Sequence, residues 1–385
     1  MKQQAANVWL MQKMNRAKVL QYIRSHPNVV RPQVAAATGL SLSSLTNITA
    51  FLLEKGLVCE SGVEQVGRVG RKGVLLSFRP GEYGFFCLLL SPGTVRLALT
   101  DLSGCVLAES ETGYTGGDFS SVMPWLKQET TRLSNQTKCP VLAMGAAVSG
   151  LVLNGRLALS STLGFKEQDI QRELENAVRL PVFVENTTMA RATWQFCNAE
   201  GHRAPHMLFV DLDGGVGAAQ FYGERVSHAM IGEIGHTSVA KEGDSCFCGN
   251  RGCLEVMCAP VRMCDVYRQK TGRSASPAEL ESLQRTDEAA RAAVREGAAY
   301  LGMGLANLVN LFNPQTLYIS RGSYADMPSA LAFAVEEMHR RAYRAITKDM
   351  QVETVSSGHA ELVGGVAIGL CDRVFAVDFP HSLLD

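Results

Sequence analysis

Three thiols fall within eight positions, Cys246, Cys248 and Cys253, and His236 stands ten residues upstream of the first. Thiolate and imidazole in a three-to-one ratio suit a closed tetrahedral zinc site. Gly249 and Gly252 lie between the thiols, where a loop tight enough to surround one atom needs positive φ and close backbone approach. Reduced core cysteines beside an unrelated histidine are the plainer reading, since buried Cys often packs as a small hydrophobe. Clustering with glycines fits that reading poorly, and zinc is the stronger one. Spacing alone leaves one alternative open: Cys258 in place of His236 as the fourth ligand. Glu233 and Glu255 bracket the loop, so a metal-stiffened turn would also present carboxylates to the hydroxyls of a ligand.

A second group of residues suits a different partner. Leu45, Ile48 and Leu52 recur at helical spacing after Ser41, a good N-cap, and Gly56 closes the run. The opposite face of the first two turns shows Ser43, Ser44, Thr46 and Asn47, small hydrogen-bonding side chains with no acid among them. Such a face suits a DNA major groove, where donors and acceptors on base edges carry the sequence. Two helices are expected upstream, at 16–25 and 31–38, the second opened by Pro32 and stopped by Gly39. Downstream, β-like runs at 57–60 and 74–78 frame a glycine-loosened hairpin carrying Arg68, Arg71 and Lys72. That hairpin reads as a wing for phosphate or minor-groove contact. Residues 1–80 are therefore expected to form a winged helix-turn-helix domain that binds double-stranded DNA.

Charge agrees with this division. Residues 1–80 carry eleven Lys/Arg and three acidic residues, a balance of +8, against −8 for the rest of a chain whose net charge is zero. A compact basic segment on an acidic body points to a polyanion partner for the small part alone. At 385 residues the chain is long enough for more than one core. No apolar run nears the ~20 residues of a membrane span, and Lys2, Lys13, Arg16 and Lys18 break up any signal-like run. Eleven cysteines without framework spacing point to a reducing, cytoplasmic setting.

From residue 83 the pattern becomes α/β. Strands are expected at 84–90, 95–101, 105–109, 140–148, 182–184, 207–212 and 317–320, and helices at 121–134, 170–178, 188–198, 287–312 and 361–375. A glycine-rich turn, Asp213-Gly-Gly-Val-Gly217, follows one of the strands. No internal repeat is strong enough to name. The alternation suggests two α/β lobes around a cleft.

Gly232-Glu-Ile-Gly-His236, the Cys-x-Cys-Gly-x-x-Gly-Cys-Leu-Glu run ending at Glu255, and the segment from Asn307 to Pro314 resemble the ROK family of repressors and sugar kinases. With its basic N-terminal module the chain is similar to the repressor branch, which includes N-acetylglucosamine and xylose repressors. The resemblance spans nearly the whole chain. It implies an actin-like (ribonuclease H-like) body with ligand held between lobes. Residues 81–187 and the closing segment 361–385 would form the first lobe. Residues 188–360 would form the second, with the zinc loop and a dimerisation surface. It further implies structural zinc on His236, Cys246, Cys248 and Cys253, and sugar hydroxyl contacts from Asn186, Glu233, His236 and Glu255. Thr162 falls where many members have Asn and is the remaining candidate sugar contact.

Departures from the family kinases set the functional expectation. Those enzymes carry Asp-x-Gly-Gly-Thr on the first strand of the body, whereas this chain has Leu88-Leu-Leu-Ser-Pro-Gly-Thr94 with Leu89 at the Asp position. They also end a later strand with Asn-Asp, the Asp taking the sugar hydroxyl proton; here the pair is Asn186-Thr187. A threonine hydroxyl cannot act as that base near pH 7, and without the first carboxylate a phosphate-bound metal is poorly held. Asp213 adds an acid where the family commonly has Gly. The expected protein is not an enzyme. It is a sugar-responsive DNA-binding regulator, expected to read a palindromic operator as a homodimer or homotetramer, with a sugar or sugar phosphate as effector. Thr187 would tolerate a phosphate that an Asp would repel. Two readings stay open beside it: an ATP-dependent sugar kinase with an added DNA-binding domain, and a regulator controlled by a protein partner.

Overall fold

The computed structural model describes residues 2–65, 72–114, 119–153, 155–160, 163–198, 206–223, 230–356, 358–377, 379 and 382–385. The N-terminal module comprises α1 (Lys2–Ser25), β1 (Val29–Val30), α2 (Arg31–Thr38), α3 (Leu42–Glu54), β2 (Val58–Gln65) and β3 (Lys72–Phe78). Helix α2 stops where Gly39 takes φ 71°, a left-handed conformation that penalises any residue with a Cβ. Helix α3 starts where the Ser41 hydroxyl accepts the Ser44 N–H at 3.1 Å, a cap worth about 1 kcal/mol. Leu45 and Leu52 are fully buried and share one cluster with Val19, Leu20 and Ile23 of α1, Val34 of α2 and Leu76 of β3. Strand β3 pairs antiparallel with both β1 and β2, so the three helices and the winged sheet form as expected.

Helix α1 extends well beyond the expected 16–25. Val8, Trp9, Leu10, Met11 and Met14 are all exposed along its first half. No buried apolar stripe repeats there, so periodicity could not report the helix.

The first lobe contains β4 (Gly84–Ser91), β5 (Gly93–Asp101), β6 (Val106–Tyr114), α4 (Met123–Thr137), β7 (Val141–Val148), β8 (Leu151–Leu153), β9 (Arg156–Ser160), β10 (Phe165–Gln168), α5 (Ile170–Val178) and β11 (Val182–Asn186). Its main sheet has the order β11-β7-β4-β5-β6. Strands β4, β5 and β6 form an antiparallel meander, and β7 and β11 add in parallel. Strand β4 is an unbroken apolar run because both its faces are covered. Phe86, Leu88 and Leu90 pack with Leu126 and Leu133 of α4 and Ile170 and Leu174 of α5, while Phe85, Cys87 and Leu89 face the other way. The small sheet β10-β9-β8 was not expected. Its strands of 4, 5 and 3 residues are too short to show alternation.

Helix α6 (Thr187–Asn198) leads into the second lobe: β12 (His206–Asp211), β13 (Gly217–Tyr222), β14 (Met230–Gly232), α7 (Leu254–Cys258), α8 (Pro260–Thr271), α9 (Pro277–Leu283), α10 (Glu288–Phe312), β15 (Thr316–Ser320), α11 (Pro328–Arg341), α12 (Arg344–Thr347) and β16 (Gln351–Val355). The sheet order is β14-β13-β12-β15-β16. Again a three-strand antiparallel meander is extended by two parallel strands. The two lobes thus repeat one topology although no sequence repeat is visible. Backbone pairing needs only buried apolar strands in order, and many sequences supply those.

Helix α13 (His359–Val374) returns to the first lobe and crosses α6. A Cβ on Gly365 would lie 1.8 Å from the Ala190 carbonyl oxygen, and one on Gly364 would lie 2.3 Å from the Trp194 ring. Only glycine permits so close a crossing. Beyond α13, Phe375, Phe379 and Leu384 join the same apolar cluster as Val19 and Leu20 of α1. The N-terminal module therefore shares a core with the first lobe. Among the described residues no single helix is long and apolar enough to cross a membrane.

Candidate functional site: metal loop and inter-lobe cleft

The metal loop hangs between β14 and α7. A short helical turn at Ile234–His236 places the imidazole, and Cys253 is the N-cap of α7. Backbone hydrogen bonds close the loop: Cys246 N–H to Asn250 O at 2.8 Å, Gly249 N–H to Cys246 O at 3.0 Å and Gly252 N–H to Asp244 O at 2.9 Å. Gly252 has φ 66°, and a Cβ there would sit 2.0 Å from the Ala240 carbonyl oxygen. The glycine requirement inferred for this loop is met at that position.

One ligand atom each from His236, Cys246, Cys248 and Cys253 lies within 4.8 Å of all the others. His236 Nδ1 is 3.6 Å from Cys246 Sγ, and Cys248 Sγ is 3.6 Å from Cys253 Sγ. A zinc tetrahedron with Zn–S bonds of about 2.3 Å has edges of about 3.8 Å, so the spacing fits that ion. Cys258 does not join this group; its Sγ lies 3.9 Å from the Glu255 carbonyl oxygen. Within the cluster, burial and then hydrogen bonding with Cys248 and Cys246 push Cys253 up to about 12. The Asn250 backbone N–H lowers the exposed Cys248. A bound cation is what would favour all three thiolates together.

The ring of His236 faces two ways. Nδ1 points to the thiols, and Nε2 lies 3.9 Å from Glu233 Oε2, beyond hydrogen-bond reach. Glu255 has a structural partner: its Oε2 accepts the Val216 N–H at 3.1 Å. Its carboxylate also fills the space over Gly215 and Gly235, where a Cβ would lie 2.6 and 3.1 Å away. Glu255 thereby ties the metal loop to the glycine-rich turn. Asn186, at the end of β11, donates from Nδ2 to the Gly150 carbonyl at 2.6 Å and accepts the Thr188 N–H at 2.7 Å. Thr162 lies outside the described residues.

On the N-terminal module, Ser43, Ser44, Thr46 and Asn47 are all exposed on α3. Thr46 returns its hydroxyl to the Leu42 carbonyl at 2.8 Å, and Ser44 is held by Ser41. Arg68 and Arg71 lie outside the described residues, and Lys72 begins β3.

A model of the ROK family matches residues 93–370. The chain belongs to the ROK family. It is 25% identical to the DNA-binding transcriptional repressor Mlc of Escherichia coli K12, over 88% of each chain. Among solved structures it is similar to a ROK family transcriptional regulator described as a homologue of E. coli Mlc, with TM-score 0.79, 24% identity, and coverage of 94% of this chain and 97% of the other. It is also similar to a ROK hexokinase from Thermus thermophilus, with TM-score 0.62, 23% identity, and coverage of 74% and 97%. The repeated five-stranded sheets are the actin-like fold. The part left uncovered by the kinase leaves room for the N-terminal module.

Leu89 is 5% exposed and packs into the core, and strand β4 carries no carboxylate. Thr187 is the first residue of α6. One residue escaped the sequence reading. Arg191 of α6 is 8% exposed and forms ion pairs with Asp211, at 2.9 Å, and with Asp213. The signal was present: Asp211-x-Asp213 beside a glycine turn places two acids together, which calls for a cation. A cavity of about 710 Å³ lies between α5, β11, α6 and α13 and touches none of the expected site residues.

Proposed function

We propose that this ROK protein is a sugar-responsive transcriptional repressor of carbohydrate genes. It binds an operator through residues 1–80 and a sugar through a body that no longer transfers phosphate. One observation carries the reading: an exposed Ser43, Ser44, Thr46 and Asn47 face stands on a sugar-kinase fold that has Leu89 and Thr187 in the places of its carboxylates. Asn186, Glu233, His236 and Glu255, with Thr162, take the sugar hydroxyls. Arg68, Arg71 and Lys72 reach the DNA backbone from the wing.

Structural zinc on His236, Cys246, Cys248 and Cys253 completes the cleft. Four protein ligands leave no open position for water, so the ion stiffens the loop and supplies no reaction. His236 Nδ1 holds the ion while Nε2 stays free to hydrogen-bond, which links metal and ligand through one ring. The proposed division is into residues 1–80, 81–187 with 361–385, and 188–360; a separate sheet in each part supports it. A homodimer would match a palindromic operator. Eleven cysteines without a pairing pattern suit a reducing cytoplasm. For switching, the sugar must bind two lobe arrangements with different affinity; equally tight binding to both shifts nothing.

The test combines operator selection from genomic fragments with fluorescence anisotropy in the presence of xylose, glucose and N-acetylglucosamine. One sugar should change operator affinity. Absence of DNA binding at low salt would sink the reading. So would ADP release from ATP with any hexose, if Asn186→Ala abolishes it.

A further inference from the structure

Arg191 occupies the phosphate side of the cleft with its charge already committed. Nη1 donates to Asp211 Oδ2 at 2.9 Å, and Nη2 pairs with Asp213. Asp211 is 2% exposed and is held further by the Ser320 hydroxyl at 3.0 Å and the Thr188 hydroxyl at 3.3 Å. The buried Nε of Arg191 has no partner, an arrangement kept only where other contacts compel it. The guanidinium lines a cavity of about 260 Å³ with Leu89, Ser91, Thr94, Arg96, Asp213 and His359.

Both arginines that line this cavity are already paired. Arg96 pairs with Glu111 at 2.5 Å, and His359 lies 3.3 Å from Glu109. Burial, with the Arg96 charge second, holds His359 below the usual histidine range, so near pH 7 it adds little positive charge. Neither guanidinium is therefore free: Asp211 and Asp213 share Arg191, and Glu111 holds Arg96. Thr187 and Arg191 are one turn apart on α6, so they share a helix face. A phosphate on a sugar hydroxyl beside Thr187 would be directed toward this cavity, where it would meet Asp213 and, among the described residues, no free cation.

We propose that Arg191, Asp211 and Asp213 form an internal ion-pair plug that closes the phosphate side of the cleft, so that the effector is an uncharged sugar and neither nucleotides nor sugar phosphates bind. This inference rests on the reading of the cleft as a sugar site. It overrides the tolerance expected from Thr187 alone, because removing one repelling carboxylate is outweighed by the two that Arg191 only half neutralises. Arg191 is a specificity residue: its guanidinium is unavailable to a phosphate while Asp213 holds it.

The experiment is isothermal titration of the full-length zinc-loaded protein with pyrophosphate, glucose and glucose 6-phosphate. Wild type, Asp213→Ala and the double variant Asp213→Ala/Arg191→Gln are compared at low salt. Wild type should bind no pyrophosphate. Asp213→Ala should bind it at least about tenfold more tightly, with an affinity that falls as salt rises, and the double variant should lose that gain. Asp213 has 43% side-chain exposure, so the single variant is expected to keep its melting temperature. Pyrophosphate binding by wild type as tight as by Asp213→Ala would overturn the proposal. A folded Asp213→Ala protein that gains nothing would overturn it equally. If none of the proteins binds any sugar, the sugar reading fails by itself, while the pyrophosphate titrations still decide the plug.

Discussion

The Lys13 ammonium lies 2.9 Å from the Asp385 carboxylate and donates to the Phe379 carbonyl at 2.6 Å. Lys13 is 2% exposed, a rare burial for lysine that demands such partners. Arg16 adds hydrogen bonds to the Leu384 and Asp385 carbonyls at 2.7 and 3.0 Å, and Arg24 pairs with Asp372. Three cations of α1 therefore fasten the N-terminal module to α13 and the segment after it. The opposite end of α13 reaches the cleft, where Gly358 and His359 line the smaller cavity. One helix thus spans from the smaller cavity to the N-terminal module.

Breaking this fastening should loosen the module without touching the sugar residues. Lys13→Met would leave the Phe379 carbonyl and the Asp385 carboxylate without their donor. The expected cost is about 1–3 kcal/mol, as for other unsatisfied buried groups. It is read by thermal melting, together with a smaller effect of sugar on operator affinity. A variant that keeps both wild-type stability and wild-type sugar response would show that the contact is incidental.

The helix crossing gives a steric prediction. Gly365→Ala would press a Cβ against the Ala190 carbonyl oxygen, with an ideal separation of 1.8 Å. Either α13 must shift along α6 or the protein loses about 1–3 kcal/mol, the usual penalty of overpacking. Gly369 has nothing within 4 Å of its ideal Cβ, so Gly369→Ala is the control and should melt like wild type.

Zinc should be present at one ion per chain in protein purified without chelators, measured by plasma emission. Cys253→Ser should lose the ion because it removes one of the four ligand atoms, a buried thiol. Strong chelators should lower the melting temperature, since metal binding free energy is folding free energy for such a loop. Cys258→Ser should retain zinc, which separates the cluster from its neighbour. Metal-free protein with an unchanged melt would refute the site.

DNA affinity should fall steeply with salt, because each phosphate neutralised releases counterions. Asn47→Ala on the exposed face of α3 should cost about 1–3 kcal/mol at one operator base pair and little elsewhere. An affinity that stays level from low to physiological salt contradicts the assignment of residues 1–80.

Two histidines give an acid-side instability. Burial, then Arg96, depresses His359 against the opposing pull of Glu109 and Glu111. Burial also depresses His206, opposed by a hydrogen bond with the Asn313 backbone. The unfolded chain takes up these protons near pH 6.5, before the folded chain does. Stability is therefore intact above about pH 6.5 and declines as pH falls from there toward the folded values. Melting temperature should be lower at pH 5.5 than at 7.5, and His206→Gln with His359→Gln should narrow the gap. A melt that rises on acidification would contradict the burial argument.

Much of the molecule was legible in its residues. Ser41, Gly39 and the Leu45–Leu52 stripe placed α2 and α3, because caps and apolar spacing act within a few residues. Asp287 and Asn313 bounded α10 for the same reason. The thiol spacing and its glycines announced the metal loop. What escaped depended on distance along the chain. The exposed apolar residues Val8 to Met11 form no buried stripe, and the buried Lys13 finds its partners more than 360 residues away. The short sheet of β8, β9 and β10 is made by pairing rather than pattern.

The thiol spacing, the small polar face of α3, and the missing carboxylates at Leu89 and Thr187 were determined by sequence alone. Each is a matter of which atoms are present within one local segment. Tertiary structure decided three further points. It chose His236 over Cys258 at the metal loop, and it gave Glu255 a backbone N–H to hold. It also set Arg191 between Asp211 and Asp213, 20 and 22 residues onward. These are questions of who stands next to whom, and electrostatic and coordination energies depend on that distance rather than on order along the chain.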